Sequence, residues 1–209
     1  MLKHFALLSA LILGTVTGQA ATVSGFFSAF GTDQFTSNTI TFLPGATVEP
    51  TISGDFATYL SAGTAINFLS GALPYSQGTN NIPPNPPYTS GFVPLFTING
   101  SGGEVFTFDM TSYTASYITN AQNVLGCANG STCLNATGVG TFVATGPLTG
   151  SSGPATFVFT SQYAPDVDNS NVTTFSASVS APTPEPASLA LVGSGLLAAV
   201  GVARRRLIA

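Results

Sequence analysis

The chain has no tryptophan, one histidine, two cysteines and four basic residues among 209, and only 6% of it is charged. The basic residues are Lys3, Arg204, Arg205 and Arg206, and the histidine is His4, so residues 21–183 contain no cation and no imidazole. That stretch cannot form a Lys or Arg ion pair. It also lacks the basic patch that neutralises phosphates, which excludes nucleic acid as a partner and disfavours anionic lipid surfaces. Ser-His-Asp, Cys-His and Schiff-base catalysis need a His or Lys that is not there. Neither Asp-Thr-Gly nor Asp-Ser-Gly occurs, so the signature of an aspartic protease is missing as well. A carboxylate pair, the minimum equipment of a glycosidase, survives this elimination. Asp33, Glu49, Asp55, Glu104, Asp109, Asp166 and Asp168 offer many such pairs, and the sequence singles out none. We expect no enzyme and no cofactor: acids in a stretch this poor in charge are accounted for by solubility.

Two terminal segments are unambiguous in composition. Residues 1–20 open with Lys3 and His4, continue with an apolar run over 5–16, and end in Gly18-Gln19-Ala20. This is the basic start, apolar core and small-x-small site of a secretory signal peptide, which predicts a mature N-terminus at Ala21. At the other end stand Pro184-Glu185-Pro186, an uncharged apolar run over 187–203, and Arg204-Arg205-Arg206. As a helix the run would rise about 26 Å, close to the hydrocarbon thickness of a bilayer. The arginines mark residues 204–209 as a cytoplasmic tail, and they place the Pro-Glu-Pro triplet outside. Within the run, Gly195, Ala199 and Ala203 recur every fourth residue, a small-residue face that ordinary alanine-rich membrane composition also produces. A plain stop-transfer anchor is the alternative reading of this tail.

Triplet, short helix and basic terminus, in this order at the extreme C-terminus, resemble the PEP-CTERM sorting signal of Gram-negative bacteria. The resemblance covers about residues 184–207 and carries Pro184, Glu185 and Pro186 as the sorting motif, with Arg204, Arg205 and Arg206 as the membrane stop. It implies recognition by an exosortase, a membrane-embedded transpeptidase, and delivery of the exported part to the cell surface or extracellular matrix. Association with exopolysaccharide and biofilm is implied in the same way. The same tail has also been labelled an ice-binding C-terminal domain. An ice-binding face would call for a regular Thr-x-Thr array, and only Thr39-Ile40-Thr41 supplies one outside the signal peptide.

Between the signals, residues 21–180 are rich in Thr, Ser, Val and Phe, with alternation of period two and Gly or Pro punctuation. We expect strands over 22–30, 39–43, 51–60, 65–69, 104–110, 112–118, 139–145, 155–162 and 172–179. No ten-residue stretch has helical periodicity. Nine short strands at this spacing predict an all-β fold, a single jelly-roll-like β-sandwich with a barrel as the alternative. Val105-Phe106-Thr107-Phe108 alternates as one wet and one buried face require, whereas residues 156–160 look covered on both sides. Residues 138–162, turning at Gly150-Ser151-Ser152-Gly153, loosely resemble the β-hairpin that often precedes such a tail. Residues 77–90, with Pro83, Pro84, Pro86 and Pro87, are expected as a rigid crossover loop, and residues 181–186 as a stiff Pro-rich linker.

Cys127 and Cys133 bracket a Gly/Asn loop. They lack His partners for a metal and a base for nucleophilic work, so in an exported chain we expect a disulfide. Asp166, Asp168, Asn169 and Asn171 form the one acid-dense loop, a weak Ca²⁺ candidate that lacks the EF-hand glycine and terminal glutamate. Mutual repulsion there predicts raised carboxyl pKa values. Two functional readings follow. The first is a structural or interaction protein of the surface or matrix. The alternative is a carbohydrate-binding module using aromatic platforms such as Tyr75 and Tyr88, with a carboxylate-pair glycosidase further behind.

Overall fold

The computed structural model describes residues 23–69, 71–75, 78–81, 93–122, 127–163, 172–182 and 194–195. The signal peptide, most of the expected membrane helix and the basic tail lie outside these residues. The elements run β1 (Gly25–Phe35), β2 (Thr39–Phe42), β3 (Thr47–Gly54), α1 (Asp55–Tyr59), β4 (Ile66–Phe68), β5 (Leu73–Pro74) and β6 (Gly78–Asn81), then β7 (Val93–Asn99), β8 (Val105–Ile118), β9 (Thr132–Thr145), β10 (Gly150–Ser151), β11 (Ala155–Tyr163) and β12 (Thr173–Ala181). The fold is all-β, as the patterning requires.

The twelve strands among the described residues belong to one antiparallel sheet, whose main path is β4-β7-β8-β9-β11-β12-β1-β2-β5. β3 pairs with the first half of β1 and β2 with the second, while β6 adds to the second half of β8. The sheet curls back on itself: Thr47 of β3 bridges Ala65, and Val48 N donates to Thr64 O while Ile66 N donates to Ala46 O. The layers that sandwich the core are therefore opposing parts of one hydrogen-bonded surface, between the expected sandwich and its barrel alternative. Curling of this kind leaves few free strand edges.

The interior is a phenylalanine core. Phe56 enters it from α1 and meets Phe27, Phe106 and Phe142 edge-on at centroid distances of 5.1, 5.1 and 5.0 Å. Phe42 of β2 stacks on Phe68 of β4 at 4.1 Å, and Phe68 in turn reaches Phe175 of β12, so the rings join opposite sides of the sheet. Each fully buried ring contributes about 1.5–3 kcal/mol, which is how a domain without cations is held together. At one end the tyrosines act as staples. The hydroxyls of Tyr75, Tyr113 and Tyr163 donate to the carbonyls of Thr36, Pro74 and Phe35.

Several strands differ from the sequence expectation. The strand expected over 51–60 stops at Gly54, whose φ of 64° admits glycine, and residues 55–59 form α1 instead. Asp55 latches this helix to the start of β1, where its Oδ2 accepts from Ser24 N at 2.8 Å and Ser24 Oγ at 3.0 Å. Strands expected over 104–110 and 112–118 are one strand, β8, with a register shift between Met110 and Ser112 that moves the buried phase from 106, 108 and 110 to 113 and 115. β7 was not expected; Pro94 sits at a register shift in its pairing with β8, where the missing N–H is absorbed. β6 occupies part of the expected crossover loop. Residues 156–160 are covered on one side only, since Val158 is 39% exposed. The hairpin is present as β9 and β11, with β10 folding back on β9.

Candidate functional site

The outward faces of β1, β12 and β11 form in-register rows: Phe30, Ser176 and Thr160 in one, Thr32, Thr174 and Gln162 in the next. β3 borders them. In its pairing with β1 the register jumps so that Glu49, Pro50 and Thr51 stand opposite the single residue Ser28. Pro50 has no N–H to give the ladder, so a bulge here is what the sequence requires. The bulge sets Glu49 beside Phe30, and together with the β11 and β12 side chains they line an open groove of about 450 Å³. Phe30 is 51% exposed, the largest exposure of any large apolar side chain described. Gln162 is fixed from the far side, its Oε1 accepting from Ala128 N at 3.0 Å, which leaves the amide N–H groups as donors. The groove thus combines one exposed aromatic ring, one carboxylate, one amide and several hydroxyls. Sequence reasoning missed it, although the signal was present: an aromatic in phase with Ser28 and Thr32 on a wet face, next to a proline inside a strand.

Beneath the groove's strands the acids behave differently. Asp33 of β1 is fully buried, Ser161 Oγ donates to its Oδ1 at 2.7 Å, and Oδ2 has no partner. Burial raises its pKa from 3.8 to about 7, against the smaller opposing pull of the Ser161 hydrogen bond. Glu104 is also fully buried, with Oε2 accepting from Leu148 N at 2.8 Å. Burial raises the carboxyl pKa of half-buried Asp109 as well. The cause in both shifts is desolvation; the repulsion expected at Asp166 and Asp168 falls on residues outside those described. Asp33 and Glu104 are closed to any substrate in this conformation.

Cys127 and Cys133 are joined as a disulfide across a Cα–Cα distance of 6.1 Å. The loop between them is held by Ser131 Oγ donating to Ala128 O at 2.6 Å and by Gly130 N donating to Ala121 O. Tyr75, expected as an exposed aromatic platform, is buried at 5% exposure, and burial followed by its tyrosine neighbours raises its pKa to about 12. Among the described residues the most exposed aromatic ring is that of Phe30. Tyr88, the Ca²⁺ candidates Asp166, Asp168, Asn169 and Asn171, the triplet Pro184, Glu185 and Pro186, and Arg204, Arg205 and Arg206 lie outside the described residues. Among the described residues no cluster of His, Cys, Asp or Glu could hold a metal, and no helix is long and apolar enough to cross a membrane.

Residues 182–206 match the family model of the PEP-CTERM protein-sorting motif. Comparison with curated proteins and with solved structures gave no match. The motif implies export through the membrane of a Gram-negative bacterium to the cell surface, and processing by an exosortase-type membrane enzyme. The matched segment begins at Pro182, directly after Ala181, the buried last residue of β12.

Proposed function

We propose that the protein is a structural or interaction component of the bacterial surface or extracellular matrix, cut from its membrane anchor at Pro184-Glu185-Pro186 and associated there with exopolysaccharide and biofilm. The observation that carries this reading is the junction between fold and tail. β12 is paired on both sides, to β1 and β11, and its last residue is Ala181. Cutting a few residues further on would leave every described strand in place, so the domain is built to survive removal of its anchor. Proline fixes φ, lacks an N–H and biases the residue before it toward extended backbone, so a Pro-Glu-Pro sequence favours the form a protease groove accepts. The arginines hold the substrate in register, because drawing three guanidinium groups through hydrocarbon costs many kcal/mol. We assign the domain no catalytic role and no resident cofactor, and Ca²⁺ at Asp166 and Asp168 only a subordinate one.

The test is expression in the native host with and without its exosortase, following size and location by immunoblot. We expect a shortened surface form in the first and a full-length membrane form in the second. Identical full-length membrane protein in both would reduce the tail to a stop-transfer anchor. A carbohydrate-binding module of the envelope is the second reading, favoured by the groove beside Phe30.

A further inference from the structure

We infer that the groove formed by the Glu49–Thr51 bulge over β1, β12 and β11 is a binding subsite for a neutral oligosaccharide, with Phe30 as its stacking platform. The inference deepens the carbohydrate-binding reading by naming its site and ligand class. It depends on the groove's composition. A volume of about 450 Å³ lies within the usual range for small-molecule sites, roughly 300–1,000 Å³. Its walls are hydroxyls, an amide and a carboxylate, and they give an apolar ligand no enclosure. An anion is opposed by Glu49 and by a domain that carries carboxylates without one cation. A quaternary or ammonium cation is bound by a cage of several rings, and Phe30 is the only exposed ring lining this groove. A protein partner wants a cluster of aromatic, Met or Arg anchors, and a single Phe among Ser and Thr does not supply one.

A pyranose fits on both counts. Its C–H face is apolar and matches the exposed ring of Phe30, while its hydroxyls are at once donors and acceptors. The Glu49 carboxylate accepts from a sugar hydroxyl, the Gln162 amide donates to one, and Thr160, Thr174 and Ser176 do either. Thr160, Gln162, Thr174 and Ser176 sit on the paired strands β11 and β12, and Gln162 is tied to Ala128, so that wall of the subsite is arranged before the ligand arrives.

The chain has no tryptophan, so Phe30→Trp places one fluorophore in the groove of the full-length protein, purified in a detergent without a sugar headgroup. Titration is made with cellohexaose and maltohexaose as neutral probes and with oligogalacturonate as the anionic one. We expect a saturable change in tryptophan emission with at least one neutral hexaose and none with oligogalacturonate. Calorimetry on the unsubstituted protein should find the same ligand, with affinity falling about tenfold or more in Phe30→Ala. Glu49→Gln, which cannot disturb the core, should weaken it as well. Binding that persists unchanged in both variants would place the sugar elsewhere and overturn the groove while leaving the carbohydrate reading intact. No binding of either neutral hexaose would overturn both.

Discussion

Asp33 allows the account of this cation-free domain to be tested quantitatively. Its folded-state pKa, about 7, stands above the ordinary value of 3.8. Between those values the native state holds a proton that the unfolded chain does not, so stability is fully present at low pH and is lost as pH rises through about 7. At about 1.4 kcal/mol per pKa unit the change amounts to roughly 4 kcal/mol, or about 10 °C in melting temperature for a domain of this size. Asp109, raised by burial too, acts in the same direction. Asp33→Asn removes the titration and keeps the acceptor for Ser161, but puts an amide N–H₂ where Oδ2 has no partner, at a cost of about 1–3 kcal/mol. The variant should therefore be less stable than the wild type at pH 4.5, more stable at pH 8.5, and less sensitive to pH between them, keeping only the part that Asp109 contributes. Thermal denaturation followed by circular dichroism at half-unit pH steps measures this. Parallel curves, or a wild-type melting temperature that rises from pH 5 to 8, would refute the burial argument.

Other outcomes are expected from the same structure. Phe56→Ala empties the contact with Phe27, Phe106 and Phe142 and should cost about 3–5 kcal/mol, measured by urea denaturation. Reduction of Cys127–Cys133, or Cys127→Ser with Cys133→Ser, should cost about 2 kcal/mol by loop entropy, seen as a lower calorimetric melting temperature; an unchanged value would mean the Gln162 and Ser131 contacts suffice to hold the loop. Glu185→Ala should leave membrane insertion intact while uncleaved precursor accumulates in fractionated cells. Replacing Arg204, Arg205 and Arg206 with Ala should instead disturb anchoring and orientation, read by protease protection.

What the sequence discloses about this fold depends on whether a strand keeps one phase. β12, with buried and exposed residues in strict alternation from Thr173 to Ala181, is legible directly. β8 is not, because the shift after Met110 reverses which residues face inward, and a period-two reading breaks the strand in two. β7 was hidden by Pro94, which looks like a strand breaker until the bulge that accommodates it is seen. α1 is too short to show helical periodicity, and Gly54 before it is the sole local sign of the turn. The groove was legible only in its parts, an aromatic on the wet phase of β1 and a proline inside β3; that the bulge brings Glu49 to Phe30 across strands is a meeting no linear pattern records. The sorting tail is the opposite case, a linear signal whose meaning needs no fold at all.

The most direct measurement of the central claim is the intact mass of the protein recovered from the surface or medium of cells that carry an exosortase. The account predicts a chain beginning at Ala21 and ending at or beside Pro184-Glu185-Pro186, with the Cys127–Cys133 bridge present as a loss of two hydrogens. A mass that retains residues up to Ala209, in protein already at the surface, would contradict it.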